Sequence, residues 1–531
     1  MQRILSFALR GIDALPVEIE ADEVQSDGGA TASGPDERSS TPGISVIGLP
    51  DASVRESTHR VRAALRNLDL PTPRGRCTIN LAPADLRKEG PVYDLPIAIA
   101  LLRMLGVIGE RADPLLAKFG LAGELALDGA LRPIRGATSF AAFARAQGLR
   151  GVIVPLENAP EAAAVEGLEV YGVGDLGEAL GFVNGLYDLP REKPPTECPP
   201  PFGAALDFAE VRGQEAAKRA LALAAAGGHN VLLIGPAGSG KTMMARALPA
   251  ILPPLSPDEA LEVTRIYSSV GAVPRGSGLI RERPFRAPHH TASSAAIVGG
   301  GSVPRPGEVS LAHHGVLFLD ELPEYPRVAL ESLREPLEDG FVTIARAQGT
   351  MKFPARTMLV AAMNPSHAGG FAASLSERRA QEKYIGRLSG PLLDRIDLHV
   401  EVRAVPFASL QSARAGASTA ELRTKVLEAR GRMEVRQGRD RPNARLGGRE
   451  LDRHCVLEGP AQRLLEGAMR DLGLSARAYD RIRRVARTIA DIDACERVSE
   501  SHVAEAIHYR VLDRMKGAQA TTALAAGGAF A

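Results

Sequence analysis

With 531 residues and 45% hydrophobic content, the chain has room for about three or four domain-sized units, each large enough to bury a core. Lys and Arg number 64 against 63 Asp and Glu, a formal net charge of +1, so a polyanion site must be local rather than a property of the whole chain. Cys77, Cys198, Cys455 and Cys495 show no CxxC pairing, which argues against zinc and against a disulfide framework. No uncharged apolar run reaches the roughly 18 residues that span a bilayer, and Met1 to Leu15 lacks a signal-peptide core, so the expectation is a soluble cytoplasmic protein with no membrane partner.

In chain order, strand-like pieces around Ile4–Leu9 and Val17–Ile19 lead into Ala21–Pro42, which is rich in Gly, Ser, Asp and Glu and reads as a disordered insertion, residues 21–42. Beyond it, a helix is expected over about Ala52–Leu65 with Val54, Val61, Ala64 and Leu65 on one side. Strands near Cys77–Leu81 and Leu121–Leu127 and helices near Leu95–Leu105, Ala137–Gln147 and Glu161–Val165 complete an α/β or α+β pattern for residues 1–188. Residues 189–206 hold a proline-rich stretch, Leu189 to Pro201, that reads as a semi-rigid linker.

The chemistry is concentrated in residues 207–405. The apolar run Val231–Ile234 is followed by Gly235, Pro236, Ala237, Gly238, Ser239, Gly240, Lys241 and Thr242, then by a helix-like stretch from Met243 to Leu248. This is GxxxxGK[ST] between a strand and a helix: glycines let backbone N–H groups turn onto phosphate oxygens, Lys241 is expected to reach the β- and γ-phosphates, and the Thr242 hydroxyl to hold Mg2+. ATP with Mg2+ is the expected ligand. Phosphoryl transfer needs a second Mg2+ anchor and a group that orients water, and Gly315-Val-Leu-Phe-Leu-Asp-Glu321 supplies both. Four apolar residues make a buried parallel strand, Asp320 is the expected Mg2+ partner, and Glu321 the residue that polarises water. A third strand, Thr357–Met363, ends in Asn364-Pro365, whose amide can orient the water or contact the γ-phosphate. Phe341 to Arg356 reads as strand, Gly-containing turn and returning strand, with Arg346, Lys352 and Arg356 and no acid. His289 and His290 lack carboxylate or cysteine neighbours and read as structural rather than as metal ligands.

Residues 406–515 read as a helical lid, with helices near Thr419–Glu434, Gly459–Leu472, Ala476–Ile492 and Glu500–Arg514, and residues 516–531 as a disordered tail. Ser475 is placed to cap a helix whose Ile482, Val485, Ala486 and Ile489 form an apolar stripe. The arginine-rich stretch Arg430–Arg453 reads equally as a solvated linker or a nucleic-acid contact.

The turn Ile47-Gly-Leu-Pro-Asp51, the segment Asn80-Leu-Ala-Pro-Ala-Asp-Leu-Arg-Lys-Glu-Gly-Pro91, the strand Gly123-Glu-Leu-Ala-Leu-Asp-Gly129 and the motifs above resemble, over about residues 1–515, the YifB/ComM family of magnesium-chelatase-like AAA+ ATPases. The resemblance implies an α/β P-loop AAA+ core with a helical lid behind an α/β N-terminal domain similar to the Lon protease domain. Lon-type proteolysis needs a serine activated by a lysine, but Gly90-Pro91 is followed by Val92-Tyr93, and no lysine occurs between Lys118 and Lys193, so this domain is expected to be non-catalytic. The resemblance makes Asn364 a sensor of nucleotide and Arg395, in Leu392-Leu-Asp-Arg-Ile-Asp397, a finger for a neighbouring subunit's site. It makes Arg477 a second sensor reaching a γ-phosphate, and the basic hairpin a DNA-gripping loop. It further implies a homo-oligomeric ring, expected to be a hexamer, acting on DNA as a branch-migration helicase in recombination or natural transformation, with protein partners possible through the N-terminal domain. The alternatives are a chelatase-type ATPase that remodels a protein partner and a regulatory or scaffold ATPase. Family members commonly carry clustered cysteines after the Asn-Pro, whereas Asn364-Pro-Ser-His-Ala-Gly-Gly370 has none, and no zinc is expected there.

Overall fold

In a computed structural model that describes residues 3–24, 43–195, 206–346, 349–365, 384–404, 416–510 and 512, the chain divides into two units, one of residues 1–201 with 256–281 and one of residues 202–255 with 282–531.

In the first unit, alternating apolar residues build a four-stranded sheet in the order Ile4–Arg10, Asp13–Val24, Arg76–Ala82, Ile44–Ile47. The first three strands are antiparallel neighbours and the last pairs parallel. The second strand runs further than expected. Ala21 to Val24 continue the ladder opposite Ile79 to Arg76, because pairing satisfies backbone groups whatever the side chains' polarity. Residues 25–42 lie outside the described residues. The helix Ala52–Asn67 is capped by Asp51, which accepts from the Val54 N–H at 2.8 Å, and it buries Val54, Val61, Ala64 and Leu65 as its spacing predicts. The strand expected over Leu121–Leu127 is broken into Phe119–Leu121 and Glu124–Leu125. At the break, Gly123 accepts from the Leu95 N–H and donates to the Val92 carbonyl, and a Cβ on it would meet Leu131 at 2.6 Å. A parallel sheet of Phe119–Leu121, Gly151–Pro155 and Glu169–Val173 completes the unit. The linker's first residues are tied to this sheet rather than free: the Glu192 N–H donates to the Val170 carbonyl at 2.8 Å and Arg191 to that of Leu168 at 3.0 Å. Residues 196–205 lie outside the described residues.

The residues after Gly90-Pro91, where the Lon-like resemblance would seek a nucleophile, are Val92 and Tyr93, both buried in this unit's core, and the polar residues near them are structural. Asp94 is buried and accepts two hydrogen bonds from Arg60 at 2.7 and 3.0 Å and one from the Leu125 N–H at 3.1 Å. Lys88 is fully buried and donates to the Pro83 carbonyl.

Residues 256–281, which follow the P-loop helix in sequence, belong to the first unit. Their helix Pro257–Val270 starts in a reciprocal capping box between Ser256 and Glu259. Arg265 pairs with Asp13 at 2.6 Å, the Ser268 carbonyl accepts from the Gly136 N–H at 2.9 Å, and Leu261 packs on the unit's apolar core.

The second unit is built on a five-stranded parallel sheet in the order Phe285–Arg286, Val316–Leu319, Met358–Met363, Val231–Ile234, Leu398–Glu401. Val231–Ile234, Val316–Leu319 and Met358–Met363 are wholly apolar and buried, as a sheet covered on both faces requires, and Leu398–Glu401 is buried except at Glu401. The helices Thr419–Gln437 and Ala476–Ile492 send Val426, Met433, Ile482, Val485 and Ile489 into the same core as Val231, Val316, Val360 and Leu398, so lid and sheet share one apolar interior. Ser475 caps the second of these helices, accepting from the Ala478 N–H. The helix expected over Glu500–Arg514 stops at His508, because the Tyr509 carbonyl turns to accept from the His399 N–H and Arg510 bridges to the sheet's edge strand. Residues 513–531 lie outside the described residues.

Candidate active site

All five strands are parallel, so the chain leaves each at the same edge, where open α/β sheets gather ligands. Met358–Met363 lies between Val231–Ile234 and Val316–Leu319. The residues that follow these three strands, Gly235 to Thr242, Asp320 with Glu321, and Asn364, are therefore brought together by strand order alone.

The loop has the backbone its glycines allow. Gly238 and Gly240 have φ of +75° and +91° with open space where a side chain would stand, and Gly235 passes so close to the Val402 carbonyl that a Cβ would sit 2.0 Å from its oxygen. The Thr242 hydroxyl donates to Asp320 Oδ2 at 2.8 Å, and Lys241 Nζ donates to the carbonyls of Gly235 and Pro236 at 2.7 and 2.8 Å and to Asn364 Oδ1 at 3.2 Å. Burial pushes the Lys241 amine below its ordinary pKa, against the raising influence of Asp320 and Glu321. A cation turned onto two carbonyl oxygens has partners it can exchange for phosphate oxygens. A hydroxyl and a carboxylate 2.8 Å apart form an oxygen pair suited to a hard cation such as Mg2+. The donors fit ATP with Mg2+.

Glu321 stands apart from this cluster. Its backbone takes the left-handed conformation, φ +52°, which costs a residue with a side chain about 1–2 kcal/mol and recurs at functional sites. Its side chain is 54% exposed and lies 3.3 Å from His290 Nδ1. His289 is turned to Thr291, whose hydroxyl is 2.9 Å from its Nδ1.

Gln214, in left-handed conformation at the end of Asp207–Gln214, donates to the carbonyls of Ser239 at 3.2 Å and Arg403 at 2.6 Å, bracing the P-loop. Asp207 accepts from the Thr419 N–H and hydroxyl at 2.9 and 2.8 Å, joining that segment to the first lid helix. These contacts were not assigned from the sequence. Only the polar residues at its ends signal them.

Arg395 lies at the other edge of the sheet. Val231 is in register with Leu398, so Arg395 precedes the start of a strand whose parallel neighbour ends at the P-loop. The strand between them, four residues at about 3.3 Å each, sets Arg395 and the P-loop at opposite ends of the sheet. Its guanidinium pairs with Glu338 and donates to the Pro391 carbonyl at 2.8 Å. The simplest alternative to a finger, a salt bridge with Asp394 or Asp397, is not formed: Asp394 faces Arg477 at 3.8 Å, and Asp397 faces Arg481 and His229, each at 3.6 Å. Burial lowers the Arg395 pKa, followed by the nearby cations Arg334 and Arg477. Arg477 is thus gathered with Arg395, and its side chain is 66% exposed. Asn230, missed in the sequence, anchors this corner: its amide donates to the Arg395 carbonyl and accepts from the Leu359 N–H, both at 2.8 Å.

The basic hairpin forms as expected, Phe341–Arg346 paired antiparallel with Gly349–Pro354. Val342, Ile344 and Phe353 bury one face, while Arg346, Lys352 and Arg356 are exposed. Lys352 Nζ lies 4.6 Å from the centroid of the Phe341 ring, Arg346 reaches the Gly301 carbonyl at 3.4 Å, and Arg356 sits past the end of the returning strand. The arginine-rich lid stretch is largely engaged in the fold: Arg436 binds Asp491 through two bonds at 2.5 and 2.8 Å, Arg441 pairs with Glu450, and Arg432 donates to the Asp491 carbonyl.

Three stretches of the chain match families described for the magnesium chelatase subunit ChlI: residues 36–158 match the family called subunit ChlI of Mg-chelatase, 207–410 the magnesium chelatase family and 416–510 its C-terminal family. The chain is 45% identical over 477 residues to the YifB protein of Salmonella typhimurium, covering 89% of this chain and 92% of that protein. It is 44% identical over 481 residues to the competence protein ComM of Haemophilus influenzae, covering 89% and 93%. Similarity to the magnesium-chelatase subunit ChlI of Guillardia theta is lower, 26% over 42% of this chain and 61% of that protein.

Proposed function

The chain belongs to the YifB/ComM family of magnesium-chelatase-like proteins, and from that premise we propose that it is a ring-forming AAA+ ATPase that moves along DNA, acting as a branch-migration helicase in recombination or natural transformation. The family and its P-loop core support an ATPase. The observation that carries the reading is the convergence of Lys241, Thr242, Asp320 and Asn364 at one sheet edge beside Glu321.

Each residue has a distinct task. The Gly235–Thr242 loop presents backbone N–H groups to the phosphates, and Lys241 exchanges its carbonyl partners for phosphate oxygens. Thr242 and Asp320 would hold Mg2+, which would supply charge neutralisation at the phosphates. Glu321 orients and polarises the attacking water, and Asn364 fixes the γ-phosphate side. Arg395, about one strand length from its own P-loop, and Arg477 beside it serve the site of a neighbouring copy, which makes the working form a ring, a hexamer on this reading. The first unit, read as a Lon-like domain without the proteolytic dyad, recruits protein partners.

DNA enters this reading through the hairpin, whose exposed Arg346 and Lys352 offer cations for phosphate contacts. Double-stranded or branched DNA is expected to raise ATP turnover several-fold, with ATP-dependent displacement of a labelled strand. DNA that neither binds nor stimulates an otherwise active ATPase overturns the motor and favours the chelatase-type remodelling of a protein partner that the ChlI similarity suggests. Replacing Arg346 and Lys352 together with glutamine should reduce the slope of log affinity against log salt by about 1 to 2, because each lost phosphate contact removes roughly 0.7–0.9. An unchanged slope places the phosphate contacts elsewhere.

A further inference from the structure

His229 is wholly buried just before the strand that leads into the P-loop, and it has no task in hydrolysis as set out above. Its ring stands between two elements that carry arginines. Nε2 lies 2.8 Å from the hydroxyl of Thr488, on the helix Ala476–Ile492 whose first turn holds Arg477, and Nδ1 lies 3.6 Å from Asp397 Oδ2, two residues after Arg395. Room for the ring is made by Gly227, where a Cβ would stand 2.2 Å from Nε2 and 2.7 Å from the Thr488 hydroxyl oxygen. Thr488 is itself fixed, donating to the Arg484 carbonyl at 2.9 Å and accepting from Asn443 at 3.0 Å. Asp397 is fixed as firmly: its Oδ2 accepts from the Asn230 N–H at 3.1 Å, its own N–H donates to the Asn230 carbonyl at 3.0 Å, and Arg510 donates to the neighbouring Ile396 carbonyl at 2.7 Å. Although burial opposes its charge, His229, Arg481 and the Asn230 N–H hold the pKa of the Asp397 carboxyl down at about 2. Taking a donor from a buried carboxylate leaves charge uncompensated, and the segment that carries it relieves that cost by moving.

We propose that His229 is a positioning residue for the arginines supplied to the neighbouring subunit: through Asp397 it sets Arg395 against the helix that carries Arg477, so that the two enter the neighbour's site as one unit, and it takes no part in its own subunit's hold on nucleotide. This rests on the reading of Arg395 as acting in trans. A misplacement of about 1 Å at the reacting centre can cost on the order of 10² in rate, so a residue that never touches nucleotide can still govern turnover.

The test uses the full-length protein with two substitutions that each keep half of the imidazole's bonding. The side-chain nitrogen of His229→Asn can occupy the place of Nδ1 and face Asp397, whereas that of His229→Gln reaches the place of Nε2 and bonds Thr488. His229→Gln should lower kcat for ATP about 10-fold or more and His229→Asn by no more than about threefold, with the affinity of both for a fluorescent ADP within about twofold of the unmodified protein. His229→Gln subunits should then gain turnover when mixed with Lys241→Ala subunits, whose arginines are intact, and gain none when mixed with Arg395→Ala subunits, whose phosphate sites are intact. A general loss of packing would slow both substitutions alike and would not distinguish the two mixtures. Equal turnover in His229→Asn and His229→Gln, the reverse order, a loss that appears in nucleotide affinity, or rescue of His229→Gln by Arg395→Ala subunits or by neither overturns the proposal. The reading beneath it fails by a different result: Arg395→Ala and Lys241→Ala subunits, mixed with each other, that stay inactive.

Discussion

Replacing Glu321 with glutamine is expected to lower ATP turnover by about 100-fold or more while leaving nucleotide affinity within a few-fold. A positioned general base contributes roughly 10² to 10⁴ in rate, and the amide keeps the shape of the side chain while removing its basicity. The neighbouring Asp320 would not give so clean a result. Its two oxygens accept from the Thr242 hydroxyl at 2.8 Å and the Glu321 N–H at 3.0 Å, so its loss disturbs the loop and the cation site together. Glu321 has no such structural duty: it is 54% exposed, and the side chain's recorded contact is with His290. Turnover by phosphate release and binding of a fluorescent nucleotide, measured on the same preparation, separate the two effects. A variant that keeps a third or more of the normal rate removes Glu321 from the mechanism. The glutamine variant should also accumulate ATP-bound oligomer, visible as a larger species by light scattering when ATP is added.

The parts of this site that could be read from the sequence are those set by continuous apolar runs. Val231–Ile234, Val316–Leu319 and Met358–Met363 are buried on both faces, so their composition marks them, and the polar residues that follow them must lie at one sheet edge. Phe285–Arg286 has only two residues in the sheet, too few for any periodicity, and its place at the edge beside Val316–Leu319 was not legible. Non-local pairings were equally hidden. Nothing in the local sequence around Arg395 announces Glu338 as its partner, or Asn230 as the side chain that ties its backbone to the strand of Asn364. The helix Pro257–Val270 shows the same limit at larger scale: its capping box and apolar stripe declare a helix, but a stripe does not say which core it joins, and this one joins that of residues 1–201. Composition also misled at Ala21 to Val24, where a polar run is held in a strand by its neighbour's backbone.

Replacing Arg395 with alanine should cost about 10³ in turnover with nucleotide affinity retained, the scale of an arginine supplied to a transferring phosphate. On the finger reading, that arginine acts on another subunit. It precedes Leu398, which pairs with Val231 at the start of the P-loop strand, whereas Lys241 lies beyond the strand's other end. The competing explanation is local: Arg395 could matter only because it pairs with Glu338 and braces its helix end through the Pro391 carbonyl. Two measurements divide these. Glu338→Gln breaks the same ion pair from the exposed side, so a structural role predicts the same loss, whereas a finger predicts turnover kept or raised because the guanidinium is released. Mixing Arg395→Ala subunits with Lys241→Ala subunits gives the second. Each is inactive alone, but where they adjoin, the intact arginine of one completes the intact phosphate site of the other, and turnover should reappear as the two are titrated together. Mixtures that stay as inactive as their components would return Arg395 to a purely structural part within its own subunit, and with it the argument that this protein hydrolyses ATP only as an assembly.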